Sequence, residues 1–370
     1  MTDVKSDNKG IKGKRKILRA AVFVLIALLF TVYLCNVFTI ADTDSNKQIF
    51  NAFYSEKEDS IDAVYFGTSA SNRYFINPAA YEEKGMTVFT MATMGMPMFF
   101  IPILMDEVEK TQNPKLYIIE LRWVLKDKDL ITDAHIRRVT DSMKFSSNKV
   151  RAIEKALKFT EGAEGELSNI DEPLDYYISI IKYHSRLELG DLSPKDFFLV
   201  GSKNKTKGYV MTKSTLKQVN QQSAVYSDER KPLSPEAEET LTGLLDYCDG
   251  LDQDILFVLS PYSVKDGQME KFNTAMDIVR ARGYDVVNFN SEEMIEKLGL
   301  DYQTDFYNSK HVNYLGAEKY TEYLAEYIDE NYNLPDRRGN KKYRSWSMSY
   351  DEYKDYVSDG IKIKINKKYD

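Results

Sequence analysis

From Ala20 to Ala41 the chain carries no charged residue, and Lys5, Lys9, Lys12, Lys14, Arg15, Lys16 and Arg19 stand before that run. Its length is close to the roughly 20 apolar residues that a spanning helix needs. Positive flanks stay in the cytoplasm, so the run reads as a signal anchor with everything after Ala41 outside. The expected location is therefore the cell membrane, crossed once, with the N-terminus cytoplasmic. A cleaved signal peptide is the alternative reading, because Thr39-Ile40-Ala41 is a passable small-residue cleavage site. The apolar run is long for that purpose. A lipoprotein does not fit, since Leu34 before Cys35 is too large for the residue preceding a lipidated cysteine. No other segment is long and apolar enough to span.

The chain beyond the anchor has the length of one large α/β domain, or one domain with an insertion. Short runs rich in Val, Ile, Tyr and Phe occur at Asp62–Phe66, Met86–Thr90, Lys115–Leu121, Asp254–Ser260 and Asp285–Phe289. They have the length and continuity of buried parallel strands. Helical stretches lie between them, such as Phe100–Thr111 and Met269–Arg282, and alternation of this kind predicts a parallel sheet with helices on both faces. The rhythm breaks after Leu121. Lys149–Phe159, Asp175–His184 and Ser234–Cys248 look helical, and Gly201–Gly208 is a polar turn. The expected layout is a basic cytoplasmic segment 1–19, an anchor 20–41, a stalk 42–60, a sheet domain 61–335 with a helical insertion at about 126–250, and a basic, Tyr-rich tail 336–370. Ala317–Tyr332 closes the domain, and the alternation Ile361-Lys362-Ile363-Lys364-Ile365 predicts an edge strand or hairpin.

Composition removes several functions. Net charge is −7 and the pI about 5.3, which argues against a nucleic-acid role. Cys35 lies in the apolar run and Cys248 far downstream, so a disulfide between them is implausible. His135, His184 and His311 are scattered, with no zinc-binding spacing, so neither a metal nor a cofactor is expected.

Two places carry chemistry. The first strand breaks at Gly67-Thr68-Ser69, which puts Ser69 at the carboxyl edge of the sheet, where ligands bind in open α/β folds. Gly67 lets the chain turn, and the amide of Ser69 or its neighbour can face a developing oxyanion. Ser and Thr after a strand are also ordinary helix N-caps. Far downstream, His311 is the candidate general base for Ser69 Oγ. Asn308 is three residues before it and Asp305 six before, so either can fix its tautomer.

Gly67-Thr68-Ser69 resembles the first block of SGNH/GDSL-type hydrolases and acyltransferases. Asn308-Ser309-Lys310-His311-Val312-Asn313, followed by Gly316-Ala317, resembles their last block, and Thr90–Gly95 sits where the second block's oxyanion glycine is expected. The resemblance covers Asp62 to Leu121 and Asp254 to about Tyr332. It implies a three-layer, flavodoxin-like parallel sheet, Ser69 and His311 as a catalytic pair, and an oxyanion hole built on the Ser69 and Gly95 amides. Two positions depart from the pattern. The third strand ends Glu120-Leu121-Arg122-Trp123 without the usual asparagine, leaving Arg122 as a substitute donor or the two amides alone. Asn308 stands where aspartate is usual, and Asp305 is expected to supply the carboxylate.

Within that superfamily the layout resembles the membrane-anchored D-alanyl transfer proteins of teichoic-acid modification and the SGNH-like proteins that O-acetylate exopolysaccharides. The resemblance implies an envelope polysaccharide or teichoic acid as substrate, and a multi-spanning membrane acyltransferase as partner. The function expected is an extracytoplasmic serine esterase or O-acyltransferase working through an acyl-serine. The alternative is a non-catalytic SGNH-like envelope protein that binds polysaccharide or scaffolds the acyltransferase.

Overall fold

A computed structural model describes residues 4–39, 45–163, 173–188, 190–192, 194–197, 203–212 and 225–369. The chain divides into two compact units, Met1–Asp42 with Asp171–Gly201, and Thr43–Ile170 with Ser202–Asp370.

The first unit is built on the helix Val4–Phe38, of which Gly13–Phe38 is long and apolar enough to cross a membrane. Phe23, Leu25, Leu29 and Phe30 on it are exposed. Apolar surface left in water forfeits about 25 cal/mol per Å², so a lipid environment suits this stretch better than an aqueous one. Its end is capped from within the unit, with Arg186 Nη1 donating to the carbonyls of Phe38 (3.0 Å) and Thr39 (2.6 Å). A cation at a helix C-terminus complements the orphan carbonyls and the dipole. The cleavage-site residues Ile40 and Ala41 lie outside the described residues.

The second unit is organised by a five-stranded sheet: β1 (Ala63–Gly67), β2 (Val88–Ala92), β3 (Leu116–Glu120), β4 (Asp254–Leu259) and β5 (Asp285–Asn288). The strands are all parallel, in the order β2-β1-β3-β4-β5. The sequences of β1, β2 and β3, AVYFG, VFTMA and LYIIE, are buried at every position, as strands covered on both faces must be. Two groups of helices provide the cover. Ser69–Tyr74, Asn77–Lys84 and Tyr314–Asn331 pack on one another, and so do Ile101–Val108, Ser147–Phe159 and Pro235–Cys248. This is the flavodoxin-like strand order, whose ligand crevice lies outside the carboxyl ends of the strands where the winding reverses, here between β1 and β3. Between β3 and β4 the described residues form helices and loops, with no sheet strand among them. Of these, Pro235–Cys248 starts with Ser234 accepting from the Ala237 amide and Pro235 at its first position.

Two expectations are corrected. The expected stalk 42–60 is, from Ser45 on, part of the sheet unit. Ile49, Phe50 and Phe53 on the helix Ser45–Phe53 are buried, and Phe53 meets Phe89 of β2 edge-on at 5.8 Å. Its three apolar residues share one helical face, a pattern that the polar average of the segment conceals. The tail is likewise packed. Arg337 forks onto Asp62 with bonds of 2.9 and 2.7 Å, and Trp346 is fully buried against Tyr81. Ile361–Ile365 lies in the helix Arg344–Tyr369 instead of a strand. A strand there needs an open sheet edge to pair with, whereas a helix satisfies its amides within the segment.

Candidate active site

Ser69 is the first residue of the helix Ser69–Tyr74, two residues beyond β1. The cap is Thr68, whose side chain accepts from the Ala70 amide at 3.2 Å. The capping duty that a serine here competes for is thus already filled, and Ser69 Oγ is left to hydrogen-bond His311 Nε2 at 2.8 Å. Gly67 is needed for room more than for a turn. A Cβ there collides with Ser71 Oγ and falls 2.6 Å from Glu120 Cβ.

His311 is carried by a two-stranded antiparallel ladder, β6 (Phe306–Asn308) and β7 (His311–Val312), joined through Ser309-Lys310. Asn308 and His311 are cross-strand partners, which places their side chains together. Asn308 Oδ1 sits 3.1 Å from His311 Nδ1 and also accepts from the Lys310 amide at 2.8 Å. That backbone donor orients the amide oxygen toward the ring, so Nδ1 carries the proton and Nε2 offers its lone pair to Ser69. Burial, with Arg122, Arg73 and Lys310 close by, pushes the His311 pKa down to about 3. The imidazole is therefore in its base form at neutral pH.

Asp305 does not reach His311. Its carboxylate accepts from the Asp301 amide (2.9 Å), Thr304 Oγ1 (3.3 Å) and Lys319 Nζ (2.7 Å). Asp305 lies in the turn before β6 and Asn308 at its far end, paired with His311, so the hairpin presents Asn308 to the ring while Asp305 is held by its own turn and Lys319. Asp305 braces the hairpin against the helix Tyr314–Asn331, which Lys319 belongs to.

The oxyanion candidates divide. Neither the Ser69 nor the Gly95 amide has a hydrogen-bond partner among the described residues. Gly95 lies in the loop that follows β2, next to β1 at the same sheet edge, in the left-handed region with φ +75°. A Cβ on it falls 2.5 Å from His135 Cδ2 and 2.6 Å from Trp123 Cη2. The loop is fixed by Arg138 donating to the Met94 carbonyl at 2.9 Å and by the Met94 amide donating to Asn46 Oδ1 at 2.9 Å. Arg122 is engaged elsewhere. Its Nη2 donates to the Lys310 carbonyl (2.7 Å), its Nη1 to the Tyr74 hydroxyl (3.2 Å), and its guanidinium stacks 4.1 Å from the Tyr262 ring centroid. The Tyr74 hydroxyl lies 2.8 Å from the Pro261 carbonyl and 2.9 Å from that of Lys310. Arg122 and Tyr74 thus clamp the histidine hairpin to the ends of β3 and β4. Beneath them Glu120 is fully buried and accepts from the Arg122 amide, the Ser260 amide and the Tyr65 hydroxyl. Burial raises its pKa.

Sequence reasoning did not find Tyr74, Tyr262 or His135. Tyr74 sits on the serine helix, which is the signal that was there to use. His135 packs edge-on against Trp123 at 4.8 Å, and burial, with Arg138 and Lys126 nearby, lowers its pKa to about 4. A cavity of about 380 Å³ lined by Phe99, Lys158, Phe159 and Leu244 touches neither Ser69 nor His311. Among the described residues no three His, Cys, Asp or Glu side chains are grouped to hold a metal ion. No family model matches the chain, and no curated protein matches it.

Proposed function

We propose that this chain is an SGNH-like serine esterase or O-acyltransferase, anchored by its N-terminal helix with the sheet unit outside the cytoplasm, and acting on an envelope glycan or teichoic acid. The observation that carries the reading is the 2.8 Å contact from Ser69 Oγ to a histidine whose other nitrogen is held by Asn308. Ser69 Oγ attacks the acyl carbonyl of the donor ester, and its proton passes to His311 Nε2. The oxyanion is received by the Ser69 and Gly95 amides. The intermediate collapses to the acyl-serine as the leaving alcohol takes the proton from Nε2. In the second half, His311 removes a proton from water or an acceptor hydroxyl, which attacks the acyl-serine and frees Ser69.

Replacing a triad aspartate by asparagine costs about 10⁴ in a serine protease because the wrong tautomer results. Here the Lys310 amide keeps the asparagine oxygen on Nδ1, so the tautomer is right and only the stabilisation of the imidazolium is missing. A multi-spanning membrane acyltransferase is the proposed source of the acyl group. That missing charge also favours a second reading, an SGNH-like protein that binds polysaccharide or scaffolds such a partner without turnover.

A fluorophosphonate probe on the full-length chain in membranes separates the two. The proposal expects labelling of the wild type that Ser69→Ala and His311→Ala both lose. A folded wild type that stays unlabelled, with and without native membranes, supports the binding protein instead.

A further inference from the structure

Three cations, Arg73, Arg122 and Lys310, lie close to His311, and Lys126 lies near Lys310 and Lys265, in a chain whose net charge is −7. Arg73 is four residues beyond Ser69 on the same short helix, hence on the same face. Among the described residues its Nη1 reaches only Thr212 Oγ1, at 3.3 Å, and its Nε is buried without a partner. Arg122 holds the Lys310 carbonyl at 2.7 Å. Lys310 is at the exposed tip of the hairpin, beside His311. Lys126 follows β3 and Lys265 follows β4, at the same sheet edge. Among the described residues none of the five is in an ion pair with a carboxylate. Burial, with Lys310 and Lys265 nearby, lowers the Lys126 pKa, and burial lowers that of Arg73. Glu120 lies beneath Arg122 with its oxygens taken by three protein donors, and Asp127 stands next to Lys126. A desolvated cation with no carboxylate bonded to it, such as Arg73, is costly, and such a group in a crevice marks a functional site.

We infer that the Ser69–His311 crevice takes a substrate bearing an oxyanion, a phosphate or a carboxylate, beside the reacting ester, and that this charge supplies what the neutral Asn308 does not. The inference rests on the acyl-serine reading and deepens it by naming the class of glycan. The elements packed against His311 bring Arg73 and Tyr74 from the serine helix, and Tyr307 and Lys310 from the hairpin. They also bring Tyr314 and Glu318 from the final helix of the sheet domain, and Glu318 is bonded to the Tyr353 hydroxyl at 2.8 Å. With Arg122 added, the balance at the imidazole is positive. A bound anion offsets it, favours the imidazolium that forms as Ser69 attacks, and couples base strength to the presence of substrate.

The test is calorimetric titration of inorganic phosphate and, separately, glucuronate into the full-length protein in neutral detergent at low ionic strength. It is run at about pH 5 in buffers of different ionisation enthalpy. Saturable binding of phosphate alone assigns a phosphate-bearing polymer, and of glucuronate alone a uronic-acid glycan. Binding weakens at least about tenfold in Arg73→Gln and in Lys310→Gln, the loss of one charge-assisted bond each. Lys310 is exposed, so its variant keeps the fold. Wild-type binding takes up protons, and His311→Gln binds without uptake. No saturable binding of either anion, or equal binding in both variants, overturns the inference, and binding without proton uptake by the wild type overturns the coupling to His311. Fluorophosphonate labelling without added anion reads the acyl-serine chemistry separately. Labelled protein that binds no anion refutes this inference alone, and unlabelled protein that binds one refutes the acyl-serine reading alone.

Discussion

Replacing Asn308 by aspartate puts a carboxylate where an amide oxygen now sits, 3.1 Å from His311 Nδ1. Opposite unit charges about 4 Å apart interact by about 4 kcal/mol at an effective dielectric constant of about 20, equivalent to about 3 pKa units. The added negative charge favours the imidazolium, so the His311 pKa in Asn308→Asp rises well above the wild-type value of about 3. The same charge stabilises the imidazolium that forms during attack. With about half the interaction realised in the transition state, turnover gains about 2 kcal/mol, or about thirtyfold. The assay is kcat/KM for p-nitrophenyl acetate against pH. At about pH 5 the wild type is on its plateau while the variant is on its acid limb, and the variant's plateau is higher. Stability moves with it. The wild-type pKa is depressed below the unfolded value of about 6.5, so its contribution is present above that pH and lost as pH falls toward the folded value. The variant loses less stability on acidification. A folded Asn308→Asp with an unchanged limb and plateau refutes the assignment of Asn308 as the partner of His311.

Two further substitutions separate roles that neighbouring residues share. Thr68→Ala lowers stability by about 1 kcal/mol in urea unfolding, the cost of a lost N-cap, yet is still labelled at Ser69; if Ser69→Ala instead carries the stability loss, Ser69 is the cap. Asp305→Asn breaks the contact with half-exposed Lys319 and destabilises by about 1–3 kcal/mol, while the acid limb of turnover stays in place. A moved limb returns Asp305 to the histidine.

The sheet was legible because strands buried on both faces are continuous apolar runs, and β1, β3, β4 and β5 fall within the runs read from the sequence or one residue beyond them. β2 begins two residues later than expected, because Met86 and Thr87 are buried too without joining the ladder. That Ser69 and His311 stand together was legible in part, from the strand boundary before Ser69 and from the motif around His311. The partner of His311 was not. β6 and β7 have three and two residues, too few for any periodicity to register, and only their pairing decides between Asn308 and Asp305. Arg122 was read as an oxyanion donor because it stands where an asparagine is usual. Its clamp on the Lys310 carbonyl depends on Tyr74 and Tyr262, which converge only when β1, β3 and β4 are side by side. The average polarity of the segments 45–60 and 336–370 conceals their packing, which a few residues such as Phe53 and Trp346 decide.

The central claim is that Ser69 becomes acylated. Full-length protein is mixed with p-nitrophenyl acetate, quenched in acid within the first turnovers, digested, and the peptide containing Ser69 is weighed. The account predicts an added acetyl group on Ser69 that is absent from Ser69→Ala and that fails to form in His311→Ala. Release of p-nitrophenol with no adduct on that peptide in the wild type, at any quench time, contradicts it.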